Sequence, residues 1–165
     1  MSILKHSTIY FIAVIVAVLL NSCDTGNSSG NSVKIGDETF STGGAFAVWW
    51  ISANESGHWS EYEIFLLPCA SFDGYDDAEW DFYFDLFFNE AITEIPTGTF
   101  RLGEELSLAS FSLYSGESYE AIRAADGVLE VSSRRSGYYI KFNGTAEDGT
   151  NMSATWSGPI ELQSM

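Results

Sequence analysis

The chain has 165 residues, enough for one domain with a single sizeable core and too few for two. Its formal charge of −16, from 23 acidic against 7 basic side chains, excludes nucleic acid, whose phosphates require a basic footprint, and electrostatic adhesion to anionic lipid. Aromatic residues make up 15% of the chain, a share high enough to furnish both core volume and stacking surface.

The first 22 residues read as a secretory signal. Lys5 and His6 form a short polar start, Ile9 to Leu20 is an unbroken apolar run, and Leu20-Asn21-Ser22-Cys23 closes it. The run is shorter than the roughly twenty residues a spanning helix needs. Leu20, Ser22 and Cys23 resemble the lipobox of bacterial lipoproteins, with Asn21 standing where that family usually has a smaller or β-branched residue. The resemblance implies cleavage before Cys23, diacylation of its sulfur, and a membrane anchor of several acyl chains in the cell envelope. Outer membrane is the favoured location, although Asp24 resembles an inner-membrane retention signal of enteric bacteria. Cleavage would remove Lys5 and no acid, taking −16 to −17. Residues 23–32, with "DTGNSSGNS" after the cysteine, have the composition of a flexible tether, and residues 33–165 form the folded domain.

Beyond the tether the hydrophobic period is two. A strand over Phe46 to Ile51 must send adjacent Trp49 and Trp50 to opposite faces, and Trp59 follows in "GHWSE". These three tryptophans are the candidate ligand-binding residues, because indoles stack on sugar rings and line apolar pockets. His58, Ser60 and Glu61 are neighbours in sequence, but a catalytic triad is defined in space and adjacency supplies none. Tyr62, Ile64 and Leu66 alternate with Glu61, Glu63 and Phe65, so the two glutamates share a strand face about 7 Å apart. That separation is within the range of a glycosidase acid pair, although paired glutamates on a wet face are far commoner. Cys69 reads as a small buried apolar residue.

The segment "DGYDDAEWDFYFD" brings six acids together, of which only Asp73, Asp76 and Asp77 lie on a presumed loop and can act together as calcium ligands. No other cofactor is implied. In Trp80, Phe82, Phe84, Leu86 and Phe88 the apolar set faces a core, and Glu79, Asp81, Tyr83 and Asp85 are expected on a solvated outer face. Pro96-Thr97-Gly98 opens another strand through Phe100 and Leu102, and Tyr119 to Ala125 can form one helical turn. Asp126-Gly127, Ser136-Gly137 and Asp148-Gly149 read as hairpin turns. Between them Tyr138, Ile140 and Phe142 share a face, and Met152, Ala154, Trp156, Ile160 and Leu162 continue the alternation.

The pattern predicts an all-β domain, an antiparallel meander of about 8–10 strands. With little helix to cover a sheet, the strands must cover each other. An up-and-down β-barrel is favoured because closure removes exposed edges, and a two-sheet sandwich is the alternative. The stretches "IPTGTF", "DGVLEVS" and "GYYIKFNGTAEDGTNMSATWSGPI" resemble small all-β lipoproteins of the Bacteroidetes type, described as calycin-like or lipocalin-like. That resemblance implies fold and location and no catalytic residue. There is no zinc spacing, phosphate loop or nucleophile elbow. The expectation is a non-catalytic, lipid-anchored binding module for a glycan or a small apolar ligand. A structural subunit bound to another envelope protein is the second reading, and a glycosidase-type enzyme the third.

Overall fold

The computed structural model describes residues 30–54, 57–68, 78–115 and 118–164. Within them the chain is all-β, with eleven strands: β1 (Ser32–Ile35), β2 (Glu38–Ser41), β3 (Gly44–Asn54), β4 (Gly57–Leu67), β5 (Trp80–Phe88), β6 (Gly98–Arg101), β7 (Leu106–Ser115), β8 (Ser118–Arg134), β9 (Gly137–Ala146), β10 (Asn151–Gly158) and β11 (Glu161–Ser164). They form one sheet in the order β11-β3-β4-β5-β7-β8-β9-β10-β1-β2, with β6 attached to β8. All pairings are antiparallel except β11 on β3, where the C-terminal strand runs parallel to its neighbour.

The sheet curls strongly into a barrel-like shape because two places bend it. At one corner β8 serves two halves: Ser118–Arg123 pairs with β7, a bulge interrupts the register between Ala124 and Asp126, and the rest pairs with β9 and β6. At the other corner the backbone N–H of Thr42 still bonds Asn31 on the β1 side, whereas that of Gly43 already bonds Leu67 on β4. The chain thus passes between the two halves within one residue. β1 begins at Ser32, and Asn31 clamps the Ser157 backbone from both sides, so the end of the tether segment belongs to the fold.

Two local expectations are corrected. Tyr119 to Ala125 is strand, not helix: its Ala and Glu content suits a helix, but five paired positions with β7 and the inward contacts of Ile122 and Ala124 outweigh local propensity. Asp126-Gly127 is no hairpin turn either, since it lies inside β8 beside the bulge. Gly127 faces Gly144 on β9, and the Phe142 ring lies over both, where a Cβ on Gly127 would meet that ring at 2.5 Å. Packing is what requires glycine there. Asp148-Gly149, by contrast, is the β9–β10 turn, with Gly149 at φ 85° and Asp148 accepting the Thr150 N–H at 2.9 Å.

The inner face is filled by side chains. Tyr62, Phe82, Phe84, Phe111, Leu129, Ile140 and Phe142 are fully buried. Phe142 from one half meets Phe82 and Phe84 from the other at 5.5 and 5.4 Å between ring centres. The segment before β6 closes one end of the interior. Ile95 is buried there, the Tyr62 hydroxyl donates to the Ile92 carbonyl at 2.7 Å, and Ser60 donates to the Glu90 carbonyl at 2.8 Å. Burial pushes the Tyr62 phenol up to about 12, with Glu94 and Tyr138 adding to the shift.

A candidate binding face on the outside of β3, β4 and β5

Strand alternation separates Trp49 from Trp50 as expected. Trp49 turns inward and stacks on Tyr62 at 6.0 Å, so it belongs to the end of the barrel interior. Trp50 and Trp59 are on the outer face. The pairing register puts Trp50 beside Glu61 and Glu61 beside Phe87, with Trp59 one step along β4. Trp59 stacks on Phe87 at 5.4 Å with 28° between the rings, and Phe87 is 38% exposed. Three rings therefore surround one carboxylate.

The next row adds two more acids. Glu63 stands directly opposite Asp85 across the β4–β5 pair. Glu63 accepts the Tyr83 hydroxyl at 2.8 Å, and one Asp85 oxygen accepts the Ser107 hydroxyl at 2.5 Å. The other Asp85 oxygen is shielded from solvent and accepts from no N–H or alcohol donor. Partial burial raises the Glu61 carboxyl above its ordinary value, the charges of Asp85 and Glu63 and a side-chain hydrogen bond with Asp85 push it further, and the Trp50 indole partly offsets them by donating to it. Lys and Arg are absent from β3, β4, β5, β7 and β11, and His58 points to the opposite face of β4 from Trp59 and Glu61.

The outer face is not wet throughout, which corrects the sequence expectation. Toward the other end of the same strands Phe46, Val48, Phe65, Leu67 and Ala78 form a second buried cluster, with Phe46 and Phe65 stacked at 4.6 Å. Asp81 beside them is 2% exposed. The Tyr114 hydroxyl donates to one of its oxygens at 2.6 Å, and the other oxygen has no partner. Burial raises the Asp81 carboxyl, and the bonds from Tyr114 and Ser112 only partly oppose this. A signal for the second cluster does exist in "IFLL", Ile64 to Leu67, since an apolar run without alternation marks a strand buried on both faces.

Ser60, the other polar residue of "GHWSE", is buried with its hydroxyl bonded to the loop backbone, and it faces away from Glu61. No nucleophile assembly forms there. Asp73, Asp76 and Asp77, the candidate calcium ligands, lie outside the described residues, as do Cys23 and Cys69. Among the described residues no three His, Cys, Asp or Glu side chains are placed to hold one metal ion.

No family model, curated protein or solved structure matches this chain.

Proposed function

We propose that the protein is an exported, lipid-anchored envelope lipoprotein whose barrel-like domain is a non-catalytic binding module for a glycan, held on the outer face of β3, β4 and β5. The observation that carries this reading is the stacked Trp59–Phe87 pair set in one register with Trp50 and the carboxylates Glu61, Glu63 and Asp85. Sugars present C–H faces that stack on rings and hydroxyls that donate to carboxylates, so one surface serves both halves of the ligand. A small apolar ligand inside the barrel is less well supported, because Phe82, Phe84 and Phe142 meet across the interior. Binding is favoured over hydrolysis because the carboxylates lie side by side on one sheet face, whereas an acid pair must flank a scissile bond. An envelope protein partner is the second reading, on the ground that Tyr119 is 69% exposed and packs only partly against Tyr114.

The test is an oligosaccharide array probed with the full chain in detergent, followed by calorimetric titration of any ligand found. Trp59→Ala is expected to weaken binding about tenfold or more, because aromatic anchors dominate such contacts, while leaving the melting temperature near wild type. No binding to any oligosaccharide, or undiminished binding by the Trp59→Ala protein, would overturn the reading.

A further inference from the structure

The glycan-binding face has a charge problem that a neutral sugar does not solve. Glu63 and Asp85 are cross-strand partners, and like charges directly opposite each other destabilise a sheet. Tyr83 and Ser107 satisfy one oxygen of each by neutral hydrogen bonds, which leaves the net charge uncancelled. The second Asp85 oxygen is withdrawn from water, and its neighbour is another carboxyl, Glu61, which can donate to Asp85 only when protonated. Strands β11, β3, β4, β5 and β7 contain no lysine or arginine, and Arg123 of β8 lies a strand beyond β7, paired with Ser110.

The rings point to the same missing charge. Trp59 and Phe87 stack on each other with Phe87 still exposed, and Trp50 borders Glu61 on the other side. Aromatic faces attract cations through the ring quadrupole, and ammonium groups are commonly recognised by rings joined with carboxylates. A bare metal ion fits less well, since the carboxylates are spread over two register rows and do not converge as a metal site among the described residues.

Resting on the glycan reading above, we infer that the ligand is an amine-bearing glycan, with protonated amino groups seated beside the Trp50, Trp59 and Phe87 rings and against the Glu61, Glu63 and Asp85 carboxylates. The amine supplies the donors that Asp85 lacks and the charge that offsets the Glu63–Asp85 pair. The neighbouring sugar faces stack on Trp59 and Phe87.

Two probes isolate the charge: a hexamer of β-1,4-linked N-acetylglucosamine, and the same hexamer with every acetyl group removed. Each is titrated into the full-length protein in detergent, at low salt and at a mildly acid pH that keeps the amines protonated. The free-amine hexamer is expected to bind about tenfold tighter than the acetylated one, with the preference shrinking as salt screens the charges. Replacing Glu63 by Gln together with Asp85 by Asn should abolish the preference for the free-amine hexamer over the acetylated one. Equal binding of the two hexamers would overturn the amine inference and leave the glycan reading standing, and failure of both to bind, with no other sugar bound on the array, would overturn both. Tighter binding of the free-amine hexamer that survives the double substitution would also overturn the inference, since it would trace the attraction to the overall negative charge of the protein.

Discussion

Gly127→Ala provides a direct measure of how tightly the two halves of the sheet are locked. The new Cβ would lie 2.5 and 2.6 Å from two carbons of the Phe142 ring, about 1 Å inside ordinary van der Waals contact. Gly127 has no left-handed backbone angle, so the substitution carries no conformational strain of its own. Most of its cost is the displacement of a ring that Phe82 and Phe84 hold from the opposite half, with a smaller share from the Asn143 carbonyl oxygen at 3.3 Å. Overpacking of this kind costs about 1–3 kcal/mol, or roughly 4–10 °C of melting temperature for a domain of this size. The assay is a double-mutant cycle by denaturant unfolding, with Phe142→Leu as the second change. Leucine lacks the outer ring atoms that meet the Cβ, so Gly127→Ala in that background is expected to cost less than about 0.5 kcal/mol, as in uncoupled sites. A Gly127→Ala protein as stable as wild type, or a cost unchanged by Phe142→Leu, would refute the argument.

Four further outcomes are expected. Phe84→Asp should prevent folding, because it places an unpaired charge in the fully buried core, whereas Asp85→Asn should be tolerated or mildly stabilising by removing the like charge opposite Glu63; equal stability of the two variants by circular dichroism would reverse the assigned faces. Asp81 has a raised carboxyl value, so its contribution is fully present below the unfolded-state value near 4 and is lost as pH rises through the folded-state value. Asp81→Asn should therefore gain stability over wild type, by about 1 kcal/mol, at neutral pH and not at pH near 3; a pH-independent difference in melting temperature would refute this. Tyr62→Phe removes the donor to the Ile92 carbonyl and should cost about 1–2 kcal/mol, with faster amide exchange around Ile92; unchanged exchange there would show that the hydroxyl does not hold the segment. Cys23→Ser should release the protein from the membrane fraction, and full retention of the variant would disprove lipid anchoring.

Much of the fold was legible because alternation is a local property. In β5 the inward set from Trp80 to Phe88 was readable, and so was the sharing of one face by Glu61 and Glu63. The Asp148-Gly149 turn was readable because the backbone angles it needs are intrinsic to glycine. Two readings failed where distant chain decided the outcome. Tyr119 to Ala125 became strand because β7 offered it partners, and Asp126-Gly127 entered β8 because Phe142, sixteen and fifteen positions away, occupies the space over the glycine.

For the candidate site, the sequence by itself determined which side chains were available, which of them shared a strand face, and that no basic residue lay among them. It separated Trp49 from Trp50 because successive residues of a strand point to opposite sides. Only the tertiary structure decided that Trp50 is on the outer side, that Trp59 meets Phe87, and that Glu63 faces Asp85 across a strand pair. It also decided that one end of that outer face is buried around Phe46 and Phe65 while the other presents rings and carboxylates. The physical reason is that side-chain period is set within a strand, whereas register, curvature and the covering of a face depend on which remote strands pair and how the sheet bends.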